Sequence, residues 1–314
     1  WINENPRNFL PLVTNGLLLV ASGGVEFSLV RCVQCKLVYV NPRPTAESMK
    51  VFYPNAYYGE GANKFRPWIE WIRRCDRRRL ADQIARSLPR GARNLDFGCG
   101  RGEMLRLLVE RGLKGCGVER SGGVTAIGPV NGVEILTGQE ALESLPDASF
   151  DMALFLHSLE HLPHPLETLR LVRRVLKPSG RVLAVTPNVE SFQAIFAGRH
   201  WFHLETPRHL FLFSPRTIRQ LFARAGYRVT RIGHFSLEQN PFGALQTALN
   251  VLGFPTNHLY EILKSGQRSC PPLGWGEGLA AAALAAPALV FSTLASLYQR
   301  GATMSVCASR VEEP

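Results

Sequence analysis

The sequence predicts an α/β protein built around a doubly wound, mostly parallel, seven-stranded sheet. From residue 93 onward, short apolar runs typical of buried strands alternate with longer amphipathic runs typical of helices. The glycine-rich stretch NLDFGCGRGEML follows the first of these strands and opens a helix. Before residue 60 the pattern is strand-rich, and after residue 235 it becomes apolar and helical. We therefore expect a small N-terminal β segment and a helical insertion beside the sheet.

The strands of the predicted sheet are apolar runs bounded by glycine, proline or charged residues. In chain order they are Asn94–Phe97, Gly115–Glu119, Val133–Thr137, Phe150–Leu156, Arg181–Thr186, Tyr227–Gly233 and Thr303–Ser309. The connecting helices are predicted at Glu103–Arg111, Pro165–Leu176 and Pro215–Ala225. The chain then divides into a strand-rich segment (1–60), a basic helical connector (61–92), the sheet domain (93–235), an apolar helical insertion (236–300), and the last strand with its tail (301–314).

The composition is that of a globular protein with an excess of basic residues. The 314 residues are 46% hydrophobic, as in folded rather than disordered chains. The formal net charge of +11 is compatible with nucleic acid, an anionic membrane surface or an anionic substrate as a partner. The seven cysteines have irregular spacing, and no signal-peptide pattern is visible. We therefore expect a reducing, cytoplasmic environment.

The glycine-rich stretch predicts a turn on which a ligand lies directly against the backbone. Gly98, Gly100 and Gly102 follow a strand and precede a helix, so the missing side chains let a ligand approach closely. A dinucleotide site would need a small residue at position 103, where this chain has Glu103. Its diphosphate would also be repelled by Asp96. S-adenosylmethionine carries cationic groups and no phosphate, so Asp96 favours it over a dinucleotide.

A second acidic residue supports this cofactor. Glu119 ends the next predicted strand in the run GCGVER, where its carboxylate is placed to accept hydrogen bonds from both ribose hydroxyls. We also expect Asp96 to brace the turn by accepting hydrogen bonds from backbone N–H groups. The turn together with two acids is a more specific signal than a glycine motif alone.

Residues 93–235 resemble the class I S-adenosylmethionine-dependent methyltransferases. The matching runs are LDFGCGRG, GVER, LPDASFDMALFLHSLEHL and VLKPSGRVLAVTPN, in the order of that family. The runs HWFHLETPRHLFLFSP and LFARAGYRV further resemble the branch that includes ubiquinone-type O-methyltransferases. The resemblance implies a Rossmann-like methyltransferase fold and S-adenosyl-L-methionine as the cofactor.

The resemblance also implies where the cofactor is held. The turn would line the methionine end, the acid after the second strand the ribose, the residues after the third strand the adenine, and those after the fourth strand the sulfonium. The implied cofactor-binding residues are Asp96, Gly98, Cys99, Gly100, Gly102, Glu119, Gly138, Gln139, Leu156 and His157.

The run HSLEH also matches the inverted zinc-protease pattern H-x-x-E-H. In a helix, His157 and His161 would share one face, where two metal ligands are needed. Pro163 and Pro165 interrupt such a helix, so we predict no metal. We expect His161 to hold the shape of the strand end through a hydrogen bond.

Methyl transfer to oxygen needs a group that removes the acceptor proton, and histidine suits this role near neutral pH. Of His157, His203 and His209, we predict His209 and His157 as the catalytic residues. His209 lies in the run TPRHL, on a loop that can face an acceptor. The alternative is that Arg208 and His209 only pin this loop to the sheet. Trp201 beside them suits a flat acceptor and, equally, core packing.

The pair Cys32 and Cys35, in the run CVQC, resembles half of a zinc knuckle. Related methyltransferases often carry a second C-x-x-C about twenty residues earlier, whereas this sequence has no cysteine before Cys32. Two thiolates do not complete a tetrahedral site, so we predict a degenerate knuckle without metal. A redox disulfide is the weaker alternative.

An uncharged run, Leu279–Tyr298, lies in the insertion. It is long enough to cross a bilayer, but it is rich in alanine, contains Pro287, and precedes a strand that must rejoin the sheet. We therefore predict a helical cap over the acceptor pocket, either in contact with the inner membrane surface or forming a plain packed layer. The cap favours a hydrophobic or lipid-linked acceptor.

These observations predict an S-adenosylmethionine-dependent methyltransferase that acts on a small hydrophobic acceptor, on oxygen, by in-line displacement. One alternative is an RNA or protein methyltransferase, which the net charge of +11 would suit. Against it, no NPPY-like tetrapeptide follows the fourth predicted strand, so nucleic acid is the disfavoured partner. The other alternative is a protein that binds the cofactor without catalysis.

Overall fold

The computed structural model of the chain describes residues 9–11, 18–21, 25–53, 65–119, 133–138, 140–264 and 271–311. The chain divides into two compact units. The first, which we call the insertion unit, comprises Trp1–Arg66, Pro187–Ile218 and His234–Met304. The second, the parallel-sheet unit, comprises Pro67–Thr186, Arg219–Gly233 and Ser305–Pro314.

The strands, in chain order, are β1 (Phe9–Pro11), β2 (Leu18–Ala21), β3 (Val25–Cys32), β4 (Val38–Asn41), β5 (Arg93–Phe97), β6 (Lys114–Glu119), β7 (Val133–Thr137), β8 (Phe150–Leu156), β9 (Leu176–Pro187), β10 (Phe211–Leu212), β11 (Tyr227–Gly233) and β12 (Thr303–Arg310). The α-helices are α1 (Ala46–Met49), α2 (Pro67–Arg86), α3 (Glu103–Val109), α4 (Ala141–Ser144), α5 (Pro165–Val175), α6 (Phe192–Ala197), α7 (Pro215–Arg224), α8 (Asn240–Val251), α9 (His258–Leu263) and α10 (Trp275–Leu297).

The predicted seven-stranded sheet is confirmed, with the order β11-β12-β9-β8-β5-β6-β7. The pairs from β9 to β7 are parallel, and β11 pairs with β12 antiparallel. In β5, Asp96 lies opposite Gly117 of β6 and Leu154 of β8. The carboxyl ends of these strands therefore meet at one edge of the sheet, which is where ligands bind in such folds.

Three strands are one residue longer than predicted, and one strand, β9, differs by more. β9 begins at Leu176 rather than Arg181, because Leu176 already pairs with Phe150 at the start of β8. A register shift between Phe150 and Met152 accommodates the extra residues. Pro178 and Gly180 are residues that indicate a turn in a sequence, but in the structure both lie within β9 because of this pairing.

The basic connector helix α2 buries a narrow apolar face. Ala81 and Ile84 belong to a hydrophobic cluster of the parallel-sheet unit that includes Leu108 of α3 and Leu154 of β8. Burial of such side chains is worth about 1.5–3 kcal/mol each for the larger ones. The exposed arginines of α2 lie on its solvent side, as expected for part of the basic connector.

The insertion unit contains an antiparallel sheet with the path β1-β3-β4-β10, and β2 pairs with β3. The short strand β10 joins this sheet through Phe211, which lies opposite Tyr39 of β4. One face of the sheet is covered by a hydrophobic cluster that includes Trp201 and Leu204. The N-terminal β segment therefore forms its core with residues from much later in the chain.

Helices α8 and α10 form the main helical layer of the insertion unit. The Ser292 hydroxyl of α10 donates to the carbonyl of Asn240 (2.9 Å), and the Ser296 hydroxyl to that of His234 (2.8 Å). The end of α10 thus lies beside the start of α8, so the two helices run antiparallel. Pro287 lies inside α10 without ending it.

Candidate active site

The glycine turn between β5 and α3 has a backbone that favours glycine. Gly98, Gly100 and Gly102 have φ values of 76°, 53° and 65°, in the left-handed region. A Cβ atom on Gly98 would lie 2.6 Å from Cβ of Ser158, whereas one on Gly100 would meet no atom within 4 Å. Gly98 is therefore needed for close approach of the loop after β8, and Gly100 leaves open space beside the turn.

Glu119 at the end of β6 holds this turn. Its Oε2 atom accepts a hydrogen bond of 2.6 Å from the N–H of Gly100, and its carbonyl accepts one of 2.9 Å from the N–H of Gly138. The N–H of Gly98 donates to the carbonyl of Val118 at 2.7 Å. The brace expected from Asp96 is thus supplied in the structure by the carboxylate of Glu119.

Asp96 is buried at the end of β5, with 2% of its surface exposed. Burial, and then the nearby Glu119 carboxylate, raise the pKa of Asp96 to about 7, while Arg77 acts in the opposite direction. Among the described residues, the Oδ1 atom of Asp96 has no hydrogen-bond partner. A cation placed beside this carboxyl group would therefore favour its ionised form.

Arg77 is a component of this region that sequence reasoning missed. It lies on α2 and forms an ion pair with Glu103, the first residue of α3. The only signal in the sequence is the dense basic run RRCDRRRL (73–80), for which a solvated helix face is the simpler prediction. The structure instead directs one arginine of the run towards the helix that follows the glycine turn.

His157 follows β8 in a left-handed conformation, with φ of 54°. Its N–H donates to the carbonyl of Val185 (2.9 Å), and its Nδ1 atom lies 3.6 Å from Oε1 of the fully buried Glu160. The imidazole is 32% exposed, so a ligand can reach it. Leu159–His161 form a single 3-10 turn, so the H-x-x-E-H run lacks the α-helical spacing that the zinc-protease pattern requires.

The other predicted cofactor residues of the parallel-sheet unit lie at the same ends of the strands. Leu156 ends β8, and Gly138 follows β7 with φ of 89°. Gln139 lies outside the described residues. The Cys99 thiol lies close to Gly117, and burial raises its pKa, so it stays protonated.

A cavity of about 390 Å³ lies at the opposite edge of the sheet. It is lined by the first residues of four strands, Arg93, Lys114, Val133 and Phe150, with their neighbours. Since ligands of such sheets bind at the carboxyl ends of the strands, this cavity is not the cofactor site.

In the insertion unit, His209 and His203 are both buried. The Nδ1 atom of His209 lies 2.9 Å from the carbonyl oxygen of His203. Because a carbonyl only accepts, Nδ1 carries a proton in this hydrogen bond. Trp201 is 3% exposed within the core of this unit, which accords with core packing for that side chain.

The C-x-x-C pair lies in the turn between β3 and β4. Burial acts to raise the pKa of the Cys32 thiol. Hydrogen bonds from the backbone N–H groups of Cys35 and Gln34 and from the Cys35 thiol outweigh the effect of burial, so the pKa of Cys32 is lowered. Burial raises the pKa of Cys35. Both cysteines are free thiols, and the absence of metal from this pair stays a prediction.

The geometry at the carboxyl ends of β5 and β6 fits a cationic nucleoside. Open space lies beside Gly100, and the buried Asp96 has an oxygen atom without a partner among the described residues. The carboxylate of Glu119 already accepts a hydrogen bond at the turn. Two acidic groups beside a narrow turn would repel a diphosphate and attract an ammonium or sulfonium group.

Comparison with known proteins identifies the family. Residues 71–232, just over half of the chain, match the family described as "Methyltransferase domain". The chain is 29% identical over 115 residues to a ubiquinone biosynthesis O-methyltransferase of Pseudomonas aeruginosa (strain LESB58), covering 34% of this chain and 49% of the relative. It is 36% identical over 115 residues to the 27-O-demethylrifamycin SV methyltransferase of Amycolatopsis mediterranei (strain S699), covering 33% and 42%.

The chain thus spans about half the length or less of these curated relatives. Among solved structures, the [4+2]-cyclase SpnF is similar in fold, with a TM-score of 0.52 and 21% sequence identity over 86% of this chain and 98% of the neighbour. The predicted fold class, family resemblance and cofactor are confirmed. The chain belongs to the methyltransferase-domain family, and it is an enzyme that uses S-adenosylmethionine as its methyl donor.

Proposed function

We propose that this enzyme methylates an oxygen atom of a small hydrophobic acceptor. The observation that carries the proposal is the placement of two histidines, His157 with its Nδ1 atom 3.6 Å from the buried Glu160 and His209 on the carbonyl of His203. A hydroxyl acceptor must lose a proton, whereas an amine can attack through its lone pair, so a base favours oxygen chemistry. One relative is named a ubiquinone biosynthesis O-methyltransferase and the other a 27-O-demethylrifamycin SV methyltransferase, and each matches about a third of this chain.

S-adenosylmethionine supplies an electrophilic methyl group on a sulfonium centre. In our proposal, Asp96 faces the cationic end of the donor, and Glu119 binds its ribose hydroxyls. To do so, Glu119 keeps or exchanges the hydrogen bond that it accepts from Gly100. Leu156 and His157, where β8 ends, close the site over the reacting centre and exclude water.

The proposed base is a histidine whose proton position is set before the acceptor arrives. In His209, the Nδ1–H donates to the carbonyl of His203, so Nε2 is the atom that can take a proton. In His157, the Nδ1 atom lies 3.6 Å from the carboxylate of Glu160, whose negative charge would stabilise the imidazolium that forms. Either ring has the chemistry required, and activity measurements on single variants decide which one serves.

The apolar character of the insertion unit supports a hydrophobic acceptor. Most of the exposed large hydrophobic side chains of the described residues lie in this unit, as in Phe196, Leu252 and Leu279. A phenolic or lipid-linked hydroxyl compound would suit such surroundings better than a charged sugar or nucleotide.

The test is product analysis with a donor that carries a deuterated methyl group. Purified enzyme, donor and an extract of the source cells are incubated, and labelled products are separated into lipid, small-molecule, RNA and protein fractions for mass spectrometry. Labelled methyl ethers in the organic-soluble fraction are the expected result. Labelled amines, or label mainly in RNA or protein, would overturn the proposal. Parallel reactions without enzyme, in which no label should be transferred, serve as the control.

A further inference from the structure

Helix α10 carries a long apolar face that the described residues leave uncovered. It is long and apolar enough to cross a membrane, yet 17% of its most apolar stretch is buried, whereas a core helix would be mostly buried. The exposed large side chains on it and at its end are Trp275, Leu279, Leu289, Val290, Leu294, Leu297 and Tyr298. The one charged residue within the helix, Glu277, is buried. The exposed side, which we call the α10 face, is therefore uncharged from end to end.

The opposite side of α10 is bound to the insertion unit by polar contacts. Ser292 donates a hydrogen bond to the carbonyl of Asn240, the first residue of α8, and Ser296 donates to that of His234, which follows β11. The buried Glu277 lies 2.7 Å from Nδ1 of His258. A helix crossing a bilayer without neighbours would need every side facing lipid to be apolar. With polar groups fixed along one side, the helix is suited to lie on a membrane rather than to cross it.

Several features favour a lipid bilayer as the occupant of this face. At 1.5 Å per residue, α10 is about 34 Å long, and such an extended uncharged surface on a soluble protein marks an interaction site. Trp275 and Tyr298 stand at its two ends, and these residues partition to the boundary between headgroups and acyl chains. Between them the face is mainly alanine, leucine and valine, without the arginines and methionines that are enriched in protein interfaces.

The charge of the chain complements an anionic membrane. The net charge is +11, while the α10 face itself carries none. Within the insertion unit, the exposed Ile195 and Phe196 of α6 are followed by the exposed Arg199. Apolar side chains with a basic residue close by in sequence are typical of surfaces that immerse in acyl chains while binding anionic headgroups.

We propose that the α10 face docks the enzyme on the surface of an anionic bilayer. The exposed apolar side chains would enter the outer part of the hydrocarbon, while the serine side of α10 stays packed on α8. The docking face does not depend on which acceptor is methylated or on the donor site. It would bring the enzyme to hydrophobic molecules dissolved in the same membrane.

Vesicle sedimentation of the purified full chain tests this proposal. Vesicles of phosphatidylglycerol and phosphatidylcholine are compared with vesicles of phosphatidylcholine alone, at low and high salt. We expect the wild type to bind the anionic vesicles, less strongly in high salt. The double variant V290E/L294E should bind at least about tenfold more weakly, because it places two charges on the apolar face. The V51E variant is the control, since Val51 is a similarly exposed valine of the same unit that is not part of α10.

Each outcome of this experiment decides the proposal. Circular dichroism and donor binding should be unchanged in V290E/L294E, so lost vesicle binding cannot come from unfolding. Quenching of Trp275 fluorescence by lipids labelled at shallow acyl positions, and its loss in W275F, would support docking. Absence of wild-type binding, or equal binding by V290E/L294E, would overturn it. If instead the wild type forms a dimer that V290E/L294E dissociates, and no vesicles bind, the face is an interface with a second copy.

Discussion

The backbone N–H of Gly100 donates a hydrogen bond of 2.6 Å to the carboxylate of Glu119, joining the turn after β5 to the end of β6. The acid that we propose to bind ribose thus also holds the glycine turn. If its carboxylate serves both the turn and the nucleoside, removing the charge of Glu119 should affect both the turn and donor affinity. The neighbouring Asp96 has a different role. Because it is buried, its pKa responds to the charge of any group that binds beside it.

Replacing Glu119 by glutamine should weaken donor binding by about 10- to 100-fold, the worth of charge-assisted hydrogen bonds of roughly 1.5–3 kcal/mol. Isothermal titration calorimetry with S-adenosylmethionine measures the effect. E134Q, an exposed position on β7, should bind as the wild type does. Equal affinities for E119Q and wild type would contradict a role for this carboxylate.

Replacing Gly98 by alanine should lower the free energy of unfolding by about 1–3 kcal/mol, because the new Cβ meets Ser158 and the positive φ strains alanine. G100A should cost less stability, since its Cβ meets no atom within 4 Å. Chemical denaturation of both variants tests the contrast. The double variant G98A/S158G should recover part of the loss, and a loss identical with and without S158G would show that the contact is unimportant.

The pKa of Asp96, raised to about 7, predicts an unusual pH dependence of stability. In unfolded chains this carboxyl group loses its proton near pH 3.9, so between that value and 7 the native state holds the extra proton. The contribution of Asp96 to the stability of the folded state therefore becomes less favourable as the pH rises through that window. The free energy of unfolding of D96N should equal that of the wild type near pH 4 and exceed it by on the order of 4 kcal/mol above pH 7. Urea unfolding from pH 4 to 8 measures this, and a constant difference would refute it.

Replacing the base by glutamine should lower kcat by about 10²- to 10⁴-fold, and H209Q should leave the dissociation constant of the donor unchanged. H209Q and H157Q are compared with H164Q, a control at a well-exposed histidine. In the variant that lacks the base, the acidic limb of the pH–rate profile should disappear and added imidazole should restore part of the rate. If neither variant shows these signs, both histidines have positioning roles.

The His258–Glu277 pair should stabilise the insertion unit at low pH. The hydrogen bond to Glu277 raises the pKa of His258 against the opposing effect of burial. A raised histidine pKa gives stability that is complete below the unfolded pKa and is lost as pH rises through the folded one. H258Q should therefore cost about 1–3 kcal/mol at pH 5.5 and less at pH 9. Thermal unfolding at both pH values tests this, with H200Q as the control.

The parallel sheet could be predicted from sequence because its strands are buried on both faces and stand out as apolar runs. The run 150–156, for example, is β8 with the predicted bounds. The cofactor followed from Asp96 and Glu119, since their positions at strand ends are set by the parallel register.

The remaining features depend on contacts between distant residues. β10 has two residues, and its pairing of Phe211 with Tyr39 leaves no periodic signal. The ion pair of Arg77 with Glu103 and the contact of Gly98 with Ser158 depend on how α2 and the loop after β8 pack. Sequence patterns indicate which residues face a core, but they do not indicate which two side chains are in contact.

Strands β11 and β12 are antiparallel neighbours, with Gly233 opposite Ser305, so a tight turn would suffice to join them. The chain instead leaves the sheet after β11 and returns to the adjacent strand with the whole of α8, α9 and α10 between. An excursion that starts and finishes at neighbouring positions on one edge can be lengthened, shortened or exchanged during evolution without altering the order of the other strands. Divergent descendants of one ancestral enzyme could in this way acquire new acceptors while inheriting the donor site intact.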